Sequence, residues 1–297
     1  MDWKLSLSGL LIGGLVGLTG MGGGSLMTPL LVIVFGFSPS VAIGTDLAHG
    51  AIFKSAGAIR HRRLGTVHAR LSGWMFLGSA PFSILGVWLA TRIAATYGDG
   101  AQSVMARLLA CALVLGALGL AAKSFVRYHE HSDAPFLLRR RDRIAAVAIG
   151  CIGGLIVGLT SVGTGVFFGL SMLFLFPLRS AKVVGTDIFH AAALLYVAGF
   201  GHFIAGNVDF GAVGWLLIGS IPGVLISSQF TLRLPDRALR VALATVLLLS
   251  GIKLADLPQE NIALGVGAVL GLSALAYVIV QPRRKKRLVA QKQPGTT

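Results

Sequence analysis

The sequence predicts an all-α polytopic membrane protein of two inverted repeats, each with a glycine-rich broken or re-entrant helical hairpin, and about 8 to 10 membrane segments in total. Three observations lead there. Of 297 residues, 55% are hydrophobic and only 12% charged, with a mean hydropathy of +0.80, which excludes an ordinary soluble domain. The second half of the chain repeats the first. The basic residues cluster between apolar segments, in a pattern that fixes topology.

An offset of 141 positions superimposes Gly17-Leu18-Thr19 on Gly158-Leu159-Thr160, Gly44-Thr45-Asp46 on Gly185-Thr186-Asp187, and His49 on His190. The match continues through Gly73-Trp74 on Gly214-Trp215 and Pro81 on Pro222. Between residues 17 and 86 there are 19 identities in 70 ungapped positions, more than a biased apolar composition supplies, so the chain is an internal duplication.

Apolar segments run over residues 5–20, 26–36, 41–59, 70–91, 104–122, 144–160, 166–177, 183–205, 213–232, 238–255 and 260–280. At about 1.5 Å per residue, the first two fall short of a hydrocarbon core of about 30 Å. The domain reading is a first membrane repeat over 1–122, a basic cytoplasmic linker over 123–143, a second repeat with a C-terminal helix over 144–280, and a basic cytoplasmic tail over 281–297. Pro81 and Pro222 are expected to kink their helices, and Trp74 and Trp215 to anchor or pack.

The formal charge of +15 suggests no nucleic-acid partner, because the basic residues sit between apolar runs. Of 26 Lys and Arg, 21 fall in five clusters, around Arg60 to Arg70, Lys123 to Arg143, Arg179 and Lys182, Arg233 to Arg240, and Arg283 to Lys292. All five face the cytoplasm only if 144–177 enters and leaves on the same side, as a re-entrant hairpin or a pair of short tilted helices does. Arg60-His61-Arg62-Arg63 corresponds to Gly201-His202-Phe203-Ile204, which has no Lys or Arg. Equivalent loops therefore face opposite sides, which makes the repeat inverted and places a site near the midplane between the halves.

The glycine clusters at Gly22, Gly23 and Gly24 with Ser25, and at Gly163, Thr164 and Gly165, are the candidate anion site. Consecutive glycines damage a helix more than close packing requires, and broken helix ends present N–H donors and a positive dipole end to an anion. Tight helix packing is the alternative reading. Thr45 and Thr186 add hydroxyls. Asp46 and His49, three residues apart, share a helical face with Lys54, and Asp187 and His190 repeat the first two. An ionised group at the bilayer centre costs about 2.5–3.5 kcal/mol, so these face the bundle interior with partners. The aspartates read as helix caps or backbone partners, or as proton carriers, and the histidines as core residues or as a relay. Lys54 stands opposite Leu195 in the repeat, which suits an anion counter-charge or an aspartate partner. No Walker loop, HExxH or GxSxG motif is present, so no enzyme is expected. No cofactor or metal is expected either, and Cys111 and Cys151 indicate no disulfide framework.

The GLTGMGGGSLMTP opening, the GTDLAHGAIFKSAGAIRHRRLGTV block and its echo VVGTDIFHAAALLYVAGFGHFIAGNVDFGAVGWLLIGSIPG resemble the TauE/SafE family of sulfite-exporter-like anion permeases, from about residue 8 to 280. The resemblance implies a multi-pass protein of a bacterial-type inner membrane that exports small sulfur anions such as sulfite or organosulfonates. An Asp follows each Gly-Thr where the family also uses small residues.

Together these give a secondary transporter working by alternating access. Gly22, Gly23, Gly24, Ser25, Thr45, Lys54, Gly163, Thr164, Gly165 and Thr186 hold the anion, and Asp46, His49, Asp187 and His190 carry coupling protons. The expected partners are the anion, protons and the lipid bilayer; oligomeric state is left open, a homodimer included. The rival readings are a divalent-metal or other cation carrier using the paired Asp and His, and a membrane scaffold without transport.

Overall fold

The computed structural model describes residues 2–19, 24–125, 136–227, 236–256, 261 and 263–276, and these are helical apart from short connections. The helices are α1 (Asp2–Thr19), α2 (Gly24–Ile33), α3 (Pro39–Arg63), α4 (Ala69–Tyr97), α5 (Ala101–Phe125), α6 (Arg140–Thr160), α7 (Phe167–Leu175), α8 (Ser180–Ile204), α9 (Phe210–Ser227) and α10 (Asp236–Ala255). An apolar helix α11 (Ala263–Ala276) follows. Among the described residues, six helices are long and apolar enough to cross a membrane: α4, α5, α6, α8, α9 and α10. α3 is as long as α8, at 25 residues each, but its Asp46, His49 and Lys54 make it an inward-facing helix.

At the centre α3 and α8 lie antiparallel. A Cβ on Gly50 would stand 3.0 Å from Leu195, one on Gly57 3.2 Å from Ile188, and one on Gly199 3.3 Å from Ala48. The numbering runs up one helix as it runs down the other. Around this pair, α4 packs along α6 and α1 along α9, while α5 packs on α10. α1 corresponds to α6, and α4 to α9, across the 141-residue offset, so the first helix of each repeat packs on the fourth helix of the other. Such reciprocity is what a two-fold relation between the repeats produces.

Glycine makes these contacts possible. Gly9 and Gly13 of α1 lie against the backbone of Leu216 and Ser220, and their counterparts Gly150 and Gly154 lie against Met75 and Ser79. A side chain at either site meets backbone, which yields only if the helices separate. Gly154→Leu is therefore expected to destabilise the protein by about 3 kcal/mol or more. Gly14, whose Cβ direction is open, tolerates the same change, and thermal unfolding in detergent compares the two.

The repeat ends are built the same way. Thr186 Oγ1 accepts the His68 N–H at 2.9 Å, and Thr45 Oγ1 accepts the Asp209 N–H at 3.0 Å. His68 Nδ1 then caps α4 through Leu71 N–H, and Asp209 Oδ1 caps α9 through Ala212 N–H. With α3 and α8 antiparallel, the loop after α3 and the loop after α8 stand at opposite ends of the pair.

α6 and α7 form a hairpin. Gly153 faces Phe167 and Phe168, so the chain doubles back at residues 161–166. It returns to the end from which α6 starts, because the Phe176 ring lies 6.2 Å from that of Phe136, which precedes α6, and Phe136 lies 5.7 Å from His68. At the same end Arg143 stacks on Trp74 at 5.6 Å. The basic residues around 60–70, 139–143 and 179 thus share one end of the molecule.

Candidate functional site

The site forms where the hairpin turns. α6 stops because Ser161 adopts a left-handed backbone, φ 63°, its N–H held by Val157 O at 2.8 Å. Gly165, at φ 91°, continues a path that a side chain strains. α7 restarts with Phe167 and Phe168 N–H both directed at Gly163 O, at 3.0 and 3.3 Å. The result is a non-helical tip buried among α2, α3 and α8, the setting in which broken backbone is tolerated inside a membrane.

Three charged side chains meet this tip. Asp46, 2% exposed, accepts hydrogen bonds on Oδ2 from Thr28 and Ser161 hydroxyls, each at 2.6 Å. Lys54, 4% exposed, donates to Thr164 Oγ1 at 2.7 Å. Asp187, also buried, accepts the Gly165 N–H on Oδ1 at 3.3 Å. Lys54 lies within Coulombic range of both carboxylates, so each buried charge has an opposite charge and hydrogen-bond partners, as burial demands. Ser25, one turn before Thr28 on α2, is buried with no hydrogen-bond partner on its Oγ. An anion entering here finds an ammonium, hydroxyls and a broken helix end.

The structure thus gathers Asp46, Lys54, Gly163, Thr164, Gly165 and Asp187, with Ser25 buried one turn from Thr28 on α2. Gly24 opens α2, while Gly22 and Gly23 lie outside the described residues. Thr45 and Thr186 are committed elsewhere, seating the loops of the opposite repeat. Neither aspartate caps its own helix, since the N-caps are Ser38 and Arg179 and Asp46 and Asp187 sit two turns inside, but Asp187 does satisfy backbone, at the Gly165 N–H. Lys123, grouped with the solvated linker on sequence, is buried at 8% exposure in the last turn of α5. Thr28 and Ser161 were not singled out, although both lie within the glycine-rich motifs.

The histidines join the repeats. His49 Nε2 pairs with Ser220 Oγ, and His190 Nε2 with Ser79 Oγ, both at 2.9 Å. Phe53 stacks on His49, and Phe168 meets His190 edge-on at 4.4 Å. His190 Nδ1 is buried without a partner. Ser79→Ala removes the remaining ring partner and is expected to destabilise the fold by about 1–3 kcal/mol. A thermal melt beside Ser220→Ala, its repeat counterpart, checks this. Among the described residues no three His, Cys, Asp or Glu side chains converge as a metal site requires.

Comparison with known proteins adds the relatives. The model of the family described as "Sulfite exporter TauE/SafE" matches residues 5–254, which takes in α1 to α10. The chain belongs to the TauE/SafE family. This TauE/SafE chain is 37% identical over 255 residues to "Probable membrane transporter protein YjnA" of Bacillus subtilis (strain 168), covering 86% of the chain and 100% of the relative. It is 25% identical over 244 residues to "Probable membrane transporter protein YdhB" of the same organism, covering 82% and 96%. A Haemophilus influenzae relative carrying the name "Probable membrane transporter protein" is 26% identical over 253 residues, covering 77% of this chain and 85% of its own. No solved structure matches. The TauE/SafE chain is a membrane transporter, and the buried tip is its candidate site.

Proposed function

We propose that this protein is a proton-coupled secondary transporter of small sulfur-containing anions, sulfite or organosulfonates, acting as an exporter by alternating access. The observation that carries the reading is the buried Lys54 ammonium held at the broken α6–α7 tip by Thr164. A buried lysine among hydroxyl and amide groups suits a compact group of acceptor oxygens, because each of these groups can donate a hydrogen bond.

Lys54, Ser25, Thr164 and the glycine segments, Gly22 and Gly23 included, receive the anion. The acidic pair Asp46 and Asp187 serves the proton coupling, with His49 and His190 tying their helices to the opposite repeat. The two-fold relation and the antiparallel α3–α8 pair support an inverted repeat with its axis in the membrane plane and the hairpin re-entrant from one side. The shared position of the basic segments supports placing that side in the cytoplasm of a bacterial inner membrane, with the linker and C-terminal tail. The name of the matched family, sulfite exporter, supports the substrate class.

The test is flux through the purified, reconstituted protein with sulfite, sulfate, thiosulfate, sulfoacetate and taurine, each with and without a proton gradient. Gradient-driven movement of a sulfur anion is the expected result. Silence across the panel with flux of a divalent cation contradicts the proposal.

A further inference from the structure

The two repeats place equivalent aspartates on α3 and α8, yet their surroundings differ in kind. Asp187 lies within Coulombic range of two buried lysines, Lys54 of α3 and Lys123 of α5, and takes the Gly165 N–H on Oδ1. Lys123 reaches α7 one turn beyond the tip, its Nζ 3.9 Å from where a Cβ on Gly169 would stand. Every one of these partners can only donate. Asp46 lies within range of Lys54 alone of the two and takes the Thr28 N–H, but its closest partners are the Thr28 and Ser161 hydroxyls, each at 2.6 Å. A hydroxyl rotates to accept as readily as it donates.

The elements packed against α3 keep this contrast. Neither α2 nor α9 carries an ionisable side chain. α8 brings the buried Asp187, His190 and His202 and the more exposed Lys182 and Tyr196; α5 brings the buried Lys123 and the exposed Arg107 and Cys111. On α3 itself, His49 is engaged with Ser220.

Two buried lysines and two buried aspartates balance. A monovalent anion bound beside them leaves one negative charge in excess, which burial penalises. One proton taken up by a carboxylate removes it. Protonating Asp187 puts a neutral acid against two ammonium groups and an N–H; protonating Asp46 removes the counter-charge of one ammonium only, and its proton is accepted by a hydroxyl that reverses.

We infer, on the basis of the anion-transport reading above, that the two aspartates have separate tasks. Asp46 is the proton carrier, taking a proton from water as the anion binds and returning it as the anion leaves; proton and anion then move together, and export runs down the anion's own outward gradient. Asp187 stays ionised as counter-ion of Lys54 and Lys123, with Lys123 the positioning residue that holds it so.

Sulfite is the probe, used on the full-length protein for exchange across vesicles, for gradient-driven accumulation, and for thermal stabilisation in detergent at acid and neutral pH. Sulfite's own titration is common to all variants and cancels in their ratios to wild type. Asp46→Asn is expected to lose gradient-driven accumulation while exchange persists and no longer varies with pH. Asp187→Asn is expected to lose exchange, because Lys54 loses the counter-ion that holds it at the tip. Should it fail to fold, Asp187→Asn with Lys123→Met, which removes one charge of each sign, carries the same expectation. Lys123→Met makes Asp187 protonatable and steepens the pH dependence of sulfite binding, and Lys123→Arg restores it.

Loss of coupling with retained exchange in Asp187→Asn, identical behaviour of the two Asn variants, or an unchanged pH profile in Lys123→Met overturns the division of labour. A wild-type protein that neither binds nor exchanges sulfite, with the panel also silent, overturns the anion reading and this inference with it.

Discussion

Replacing Lys54 by leucine, the residue its repeat partner Leu195 already supplies, is expected to lower anion flux by about 100-fold or more. Two losses combine. The anion loses the ammonium at the tip, and Asp46 and Asp187 lose the cation within Coulombic range of both. Breaking a buried charge pair by removing one partner costs about 3–5 kcal/mol, so the variant also melts at lower temperature. Lys54→Leu combined with Asp187→Asn removes one charge of each sign; it is expected to recover the melting temperature while flux stays lost. Reconstituted flux and thermal unfolding on the same preparations separate the two effects. If flux survives in Lys54→Leu, the lysine is structural.

Gly165→Val has the second largest expected effect. The position sits at φ 91°, where a β-branched residue is strained by about 1–3 kcal/mol. The same backbone carries the N–H given to Asp187 and adjoins Thr164, the partner of Lys54. Strain there shifts both contacts, and flux is expected to fall below detection even where folded protein is recovered. Gly206→Val is the control. It shares a positive φ of 73°, with open space around its Cβ, and lies in the loop after α8. It should lose comparable stability and keep its flux.

The duplication was legible in the sequence down to individual contacts. A register of 141 pairs His49 with His190 and Ser79 with Ser220, and the structure joins each histidine to the serine of the other repeat. The segments at 41–59 and 183–205 became α3 and α8 within a few residues, because long apolar runs interrupted by small residues leave little choice of element. The turn at Ser161–Gly165 was legible too, since Gly163 and Gly165 stand in register with Gly22 and Gly24 of the first repeat's glycine run.

What the sequence concealed was the direction of polar side chains. A threonine in an apolar helix ordinarily bonds its own backbone, as Thr160 does to Ile156 O at 2.7 Å, so nothing marked Thr28 as an aspartate partner. Thr45 and Thr186 looked like anion ligands from their place beside Asp46 and Asp187, but successive helix positions point about 100° apart, and their hydroxyls face the opposite loops. Lys123 lies three helical turns beyond Ala112 in α5 and next to a basic linker; only the packing of α5 against α7, with Gly169 making room, turns it inward.

The most direct test of the central claim is counterflow: vesicles holding the purified protein, preloaded with unlabelled sulfite, are given radiolabelled sulfite outside. The account predicts transient accumulation of label by the wild-type protein and none by Lys54→Leu. Accumulation by both proteins would contradict it, because the anion would then be passing without the ammonium that Thr164 holds at the buried tip.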